Sequence, residues 1–226
     1  MPHHIALAGG EEFRAGCEPM DLEIIRRCNI QSPKVLIIPT AADTAPNRAA
    51  KNGVDYFTRL GADSFDLMIL NKSDANDNEL VQGIHEADII YFTGGNPDHL
   101  LDSLTGTILL RSIMSKVKNG AILAGSSAGA MVMGSLMRRP KLGQWITGLS
   151  IAENIAVLPH HEKSDPESTS EELTEKVSDE ITVFGIDART ACISTSDGWF
   201  VAGAGNVTAY KAGQWKIYSS GELITK

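Results

Sequence analysis

Short apolar runs alternate with amphipathic segments through the first part of the chain. Ile5 to Ala8 is apolar throughout and stops at Gly9-Gly10, and Lys34 to Thr40 carries Val35, Leu36, Ile37 and Ile38 in a row. Phe65 to Leu70, Asp88 to Phe92 and Ala121 to Gly125 follow. Uninterrupted apolar runs bounded by turn residues read as strands buried on both faces, as in a parallel sheet covered by helices. Between them the period lengthens. Met20 to Cys28 places Leu22, Ile24 and Ile25 on an apolar side, and Asn47 to Leu60 repeats Val54, Phe57 and Leu60 at every third position. Glu79 to Ala87 predicts a short helix, and Ile108 to Lys118 a longer one closed by Asn119-Gly120, a natural helix stop. A further apolar run, Ala128 to Met137, predicts a helix directly after the fifth strand.

Beyond Met137 the texture changes. Ile155 to Leu158 is a short apolar run ending in Pro159-His160-His161, and Glu162 to Ser170 reads as a polar loop before a helical Glu171 to Val177. Ile181 to Ile186 predicts a strand, followed by Asp187-Ala188-Arg189-Thr190. Ala191 to Ser194, Trp199 to Ala202, Val207 to Lys211 and Trp215 to Tyr218 alternate with glycine turns, as antiparallel strands do. The pattern predicts an α/β fold: a three-layer sandwich with a mainly parallel central sheet and an antiparallel C-terminal extension. No repeat, low-complexity stretch or linker interrupts it, so residues 1–226 are expected to form one domain.

Chemistry concentrates at Gly125-Ser126-Ser127-Ala128-Gly129-Ala130. A serine between a buried strand and a helix, with glycines two positions before and after, has the form of a nucleophile elbow. Ser127 is the candidate nucleophile, and Ser126 reads as dispensable. The helix that follows aims N–H groups at developing negative charge, so the Ala128 N–H is one expected oxyanion donor. Ligands gather at the carboxyl ends of the strands of an open parallel sheet. There Thr93-Gly94-Gly95-Asn96-Pro97 offers the backbone of Gly94 and Gly95 as the other donor, with Asn96 fixing the loop. His160 or His161, in a loop after a strand-like run, is the candidate general base. Asp187, at a strand end, is the candidate acid that orients the base, ahead of Glu162 and Asp165 in a solvated loop. Asn96 and His161 are also candidate substrate contacts.

Composition narrows the classes. The net charge of −8 argues against general nucleic-acid binding. Cys17, Cys28 and Cys192 form neither a disulfide framework nor a zinc motif. There is no signal-peptide pattern and no apolar run long enough to cross a membrane, and the two histidines His3 and His4 are too few to mark a tag. A cytoplasmic protein is expected.

With elbow, glycine turn and histidine in this order, the chain resembles the peptidase E and cyanophycinase family of serine peptidases, whose fold is shared with class I glutamine amidotransferases. The resemblance runs nearly the whole length. Tyr91-Phe92-Thr93-Gly94-Gly95-Asn96 is similar to the family's strand end that supplies the oxyanion hole, and Gly125 to Ala130 to its Gly-x-Ser-Ala-Gly-Ala elbow. Pro159-His160 resembles the family's Pro-His, which implies His160 rather than His161 as base. In α/β-hydrolases the acid precedes the histidine, but here only Glu153 lies between Ser127 and His160. His160-His161-Glu162 is also similar to the His-x-Glu of glutamine amidotransferases, which use cysteine at the elbow.

Two positions depart from the family. Ala188 stands where a glutamate is expected, leaving Asp187 to serve or the triad reduced to a dyad. The segment Glu162 to Lys176 lacks the arginine that grips acidic side chains in aspartyl dipeptidases, with Arg138, Arg139 and Lys141 as other sources of positive charge. The resemblance implies a serine exopeptidase, dipeptidase-like, or a related amidase. It would cleave small peptides through an acyl-enzyme without metal or organic cofactor. The expected partner is a small peptide, with neither nucleic acid nor membrane, and a homodimer is compatible with the sequence. The alternative is a weak or inactive binding or sensing protein on the same fold, favoured by the missing glutamate. A nucleotide-binding reading lacks any glycine-rich phosphate motif.

Overall fold

The computed structural model describes residues 4–140 and 142–225, so His3 and Lys141 lie outside the described residues. In chain order the elements are β1 (Ile5–Ala8), α1 (Glu18–Cys28), β2 (Lys34–Ile38), α2 (Pro46–Arg59), β3 (Asp63–Asp66), α3 (Asn78–Gln82), β4 (Ile89–Phe92), α4 (Pro97–Leu104), α5 (Ile108–Lys118), β5 (Ile122–Ser126) and α6 (Ala128–Met133). The second part contributes β6 (Gly134–Arg138), β7 (Trp145–Thr147), β8 (Ala152–Pro159), α7 (Pro166–Lys176), β9 (Thr182–Ile186), β10 (Thr190–Ser194), β11 (Gly198–Gly203), β12 (Asn206–Lys211), β13 (Gln214–Ser219) and β14 (Leu223–Thr225).

Among the described residues these strands form two sheets. An eight-stranded sheet has the order β14-β11-β10-β1-β5-β4-β2-β3, and a six-stranded one the order β13-β12-β9-β8-β6-β7. Strands β1, β5, β4, β2 and β3 run parallel, and β10, β11 and β14 extend that sheet antiparallel. The expected α/β sandwich is therefore present, with its antiparallel C-terminal extension. The second sheet is new. It takes β12 and β13 out of that extension and joins them to a parallel trio, β6, β8 and β9.

Successive strand residues point to opposite faces, and the core divides accordingly. Ile5, Leu7, Leu36, Ile38, Ile90 and Phe92 pack with Leu100 of α4, Ile113 of α5 and Val132 of α6. Ala6, Val35, Ile37 and Tyr91 pack with Ile24 of α1 and Phe57 of α2 on the other face. Truncating a fully buried Leu36 or Phe57 to alanine would cost roughly 2–5 kcal/mol. Helices α1, α2, α4 and α7 each carry proline in the first two positions, where its missing N–H has no helical partner in any case.

Several boundaries differ from the sequence expectation. The helix after the elbow ends at Met133, because the chain from Gly134 to Arg138 pairs with β8 as a strand. The run 128–137 is apolar on every side, so its periodicity does not separate helix from strand. The polar stretch 162–170 is ordered: Asp165 accepts from the Ser168 N–H at 2.9 Å and caps α7. The third strand begins at Asp63 and ends at Asp66, four residues short of the apolar run's end at Leu70.

Candidate active site

Strand β5 runs into α6 through Ser127, whose backbone is at φ 47°, ψ −108°. A serine in this sparsely populated region is strained, and the surroundings hold it there. Its N–H donates to Ala8 O at 2.9 Å, tying the bend to the end of β1. The elbow's glycines are needed for space. A Cβ on Gly125 would lie 2.5 Å from the Gly129 backbone, and one on Gly129 would lie 2.5 Å from Phe92 O. The bend pushes the Ser127 hydroxyl clear of the sheet, and its Oγ lies 3.1 Å from His160 Nε2.

His160 arrives from the other sheet. It follows β8, whose last residue Pro159 pairs with Ile186 of β9, and adopts a left-handed conformation at φ 53°, ψ 44°. Its N–H donates to Gly9 O at 2.9 Å. Its ring lies on Gly10, which has φ +124° and where a Cβ would come within 2.2 Å of the imidazole. Gly9-Gly10 at the end of β1 is thus the seat of the histidine. The carboxyl ends of parallel strands from both sheets converge on one site.

His161 turns the opposite way. It is buried, its Nε2 is 2.7 Å from Tyr210 Oη, and its ring meets that tyrosine edge-on. Burial holds its pKa below the usual histidine value. The expected substrate contact by His161 is therefore corrected: the side chain belongs to the second sheet's packing. Asp187 is corrected as well. Its Oδ2 accepts from the Asn206 N–H at 2.9 Å, while its own N–H donates to Asn206 O at 3.1 Å. The carboxylate closes the end of the β9–β12 ladder, and no hydrogen bond joins it to His160. Glu162 accepts from the Ala188 N–H at 3.0 Å, and that bond, more than the nearby charge of His160, lowers its carboxyl pKa.

The expected oxyanion donors separate into free and engaged. Ala128 opens α6, so its N–H is among the first-turn donors that no helical carbonyl accepts. Gly95 has φ +140°, and a Cβ there would lie 2.0 Å from Ala41 O, so only glycine fits. Gly94 does not offer its N–H: it donates to Glu12 Oε1 at 2.7 Å. Asn96 caps α4 by accepting from the His99 N–H at 3.2 Å and donates its amide to Asp43 Oδ2 at 2.8 Å. Both ends of its side chain are thereby engaged, and it braces the loop after β4.

Glu12 is the residue that sequence reasoning missed. Its second oxygen accepts from Ser126 Oγ at 2.8 Å, and Ser126 is buried. The partners lie 82 and 114 residues away, which no local pattern reports. The available signal was an acidic pair directly after the glycines that end the first strand. Glu12, Ser127, His160 and Gly95 line an open cleft of about 600 Å³, with Arg48 of α2 on its wall. That volume suits a ligand the size of a short peptide. Among the described residues, no group of three or more metal-ligating side chains is arranged around a common point, and no helix is long and apolar enough to cross a membrane.

A cyanophycinase of Trichormus variabilis is 25% identical over 216 residues, covering 90% of this chain and 72% of that protein. The crystal structure of a peptidase from an acI-B1 Actinobacterium superposes with a TM-score of 0.85 at 31% identity, covering 100% of this chain and 99% of that one. A putative peptidase E protein from Listeria monocytogenes shares the fold, with a TM-score of 0.64 at 22% identity over 88% of this chain and 96% of that one. The model of peptidase family S51 matches residues 5–200. The chain belongs to peptidase family S51 and is a serine-type peptidase.

Proposed function

We propose that the chain is an exopeptidase of dipeptidase type that works through an acyl-enzyme on Ser127. The observation that carries this reading is the contact of 3.1 Å between Ser127 Oγ and His160 Nε2, made by a serine held in a strained bend beside free backbone donors. In the proposed reaction Oγ attacks the scissile carbonyl carbon while its proton passes to Nε2 of His160. The oxyanion is held by the N–H groups of Ala128 and Gly95. Collapse breaks the C–N bond, and His160 gives its proton to the leaving amine. Water, deprotonated by the same imidazole, then cleaves the ester and restores the serine.

Without a carboxylate bonded to His160, the imidazole depends on its backbone and on Gly10 for orientation. That same observation favours a second reading, a slow enzyme or one that only binds peptides. A dipeptide library hydrolysed in parallel by wild type and Ser127→Ala separates the two. Turnover in wild type that falls by about 10³ or more in the variant supports the enzyme. Binding without turnover in either protein supports the second reading.

A further inference from the structure

We propose that Glu12 is the specificity residue of the cleft and takes the free α-ammonium of the substrate, restricting the enzyme to unblocked peptide N-termini. The inference rests on the serine exopeptidase reading above and adds to it the end of the peptide that is read. Glu12 is set in place by its backbone: Glu11 at φ 63° and Phe13 at φ 64° flank it, both in the left-handed region that non-glycine residues rarely occupy. Phe13 anchors the loop, with its ring 5.3 Å from Tyr91 and 5.8 Å from Tyr56. The carboxylate then bridges the two machines of the proposed reaction. One oxygen accepts from Gly94, next to the oxyanion donor Gly95, and the other from Ser126, next to the nucleophile.

Both of these donors are neutral. Among the described residues Glu12 makes no ion pair, whereas its neighbour Glu11 pairs with Arg14 at 2.7 Å and faces Arg189 at 3.9 Å. A carboxylate oxygen carries a second lone pair, so the charge can still accept from a ligand. The α-ammonium of an N-terminal residue is two bonds from the scissile carbonyl carbon. Its counter-ion must therefore lie beside the nucleophile and not in a remote pocket, and Glu12 is bonded directly to Ser126, the neighbour of Ser127, and to Gly94 of the oxyanion loop. The arrangement also discriminates by repulsion. With a blocked N-terminus, the oxyanion would form beside an uncompensated carboxylate, and a free ammonium removes that penalty.

The test compares aminoacyl p-nitroanilides with their N-acetyl and des-amino counterparts, on wild type and Glu12→Gln, with fluorophosphonate labelling of Ser127 run alongside. Wild type should prefer the free amine by about 100-fold in kcat/KM, as expected when a site built for a charged partner loses it. Glu12→Gln should shrink that ratio by about 10-fold or more. The ratio is the readout because a general loosening of the loop cancels in it. Equal rates on free and blocked substrates, or a ratio unchanged in the variant, overturns the proposal. Where the variant does not fold, wild type decides: an aminoacyl amide should protect Ser127 from labelling far better than its N-acetyl form, and equal protection overturns the proposal. Absent labelling of Ser127 in wild type overturns the serine reading itself, while labelling without amine selectivity overturns the role of Glu12 alone.

Discussion

The two sides of the cleft are held by different means. Ser127 stands on the central parallel sheet, fixed by a strained φ/ψ pair, by glycines that leave no room for other residues, and by a backbone bond to β1. His160 comes from the smaller sheet and rests on two glycines, with its ring against the Gly10 backbone and no carboxylate bonded to it. One side is over-determined, and the other depends on a single contact surface. In a charge-oriented triad the acid sets the imidazole; here shape does. The serine side should therefore fail when the hydroxyl goes or when Gly125 or Gly129 takes a side chain, whereas the histidine side should be sensitive to a substitution at Gly10 that carries no chemistry.

That contrast orders the expected effects. Ser127→Ala should lower kcat by about 10³ or more with an unchanged unfolding midpoint, measured on any dipeptide the wild type cleaves. His160→Ala should cost about as much, because the two groups act as a unit. His161→Ala, by contrast, should lower stability while Ser127 stays reactive toward a fluorophosphonate; the reverse pattern would exchange the two histidines. Gly10→Ala is the sharpest probe of orientation by shape. A methyl group within 2.2 Å of the imidazole must displace it. A displacement of about 1 Å predicts a loss of roughly 100-fold in kcat. If activity survives that substitution, the histidine is held by something other than Gly10.

Smaller effects test the framework behind the contrast. Ser126→Ala removes one of the two donors to Glu12 and should cost about 10-fold, in the range expected when a part-buried acceptor loses its partner. Asp187→Ala should leave kcat within about 3-fold, because its carboxylate holds the Asn206 N–H and not the imidazole. Its cost should appear as a fall in the thermal midpoint of a few degrees, corresponding to about 1 kcal/mol. A large loss of kcat in Asp187→Ala would restore the acid to the site.

Much of the serine side was legible in the sequence, and less of the histidine side. Strands β1, β2, β4 and β5 are buried on both faces, so their apolar runs identify them without reference to partners. The helix Ile108–Lys118 was found at both ends because Thr107 caps it and Gly120, at φ +106°, stops it. The elbow was legible because strand, glycine, serine and glycine are contiguous. Asp187 was misread because a strand-end acid has two uses, and only the partner strand, 19 residues further on, shows which applies. The split of the C-terminal strands between two sheets is equally non-local. Asp165-Pro166 did carry a start signal for α7, a capping acid followed by proline, within a stretch whose polarity suggested a loop.

The central claim is that Ser127, and no other serine, is activated by His160 in this cleft. Treating the purified chain with a fluorophosphonate and locating the adduct by peptide mass spectrometry tests it directly. The account predicts a single adduct on Ser127, absent in Ser127→Ala and formed at least about 100-fold more slowly in His160→Ala. An adduct on Ser126 or elsewhere, or equal labelling rates with and without His160, would contradict it.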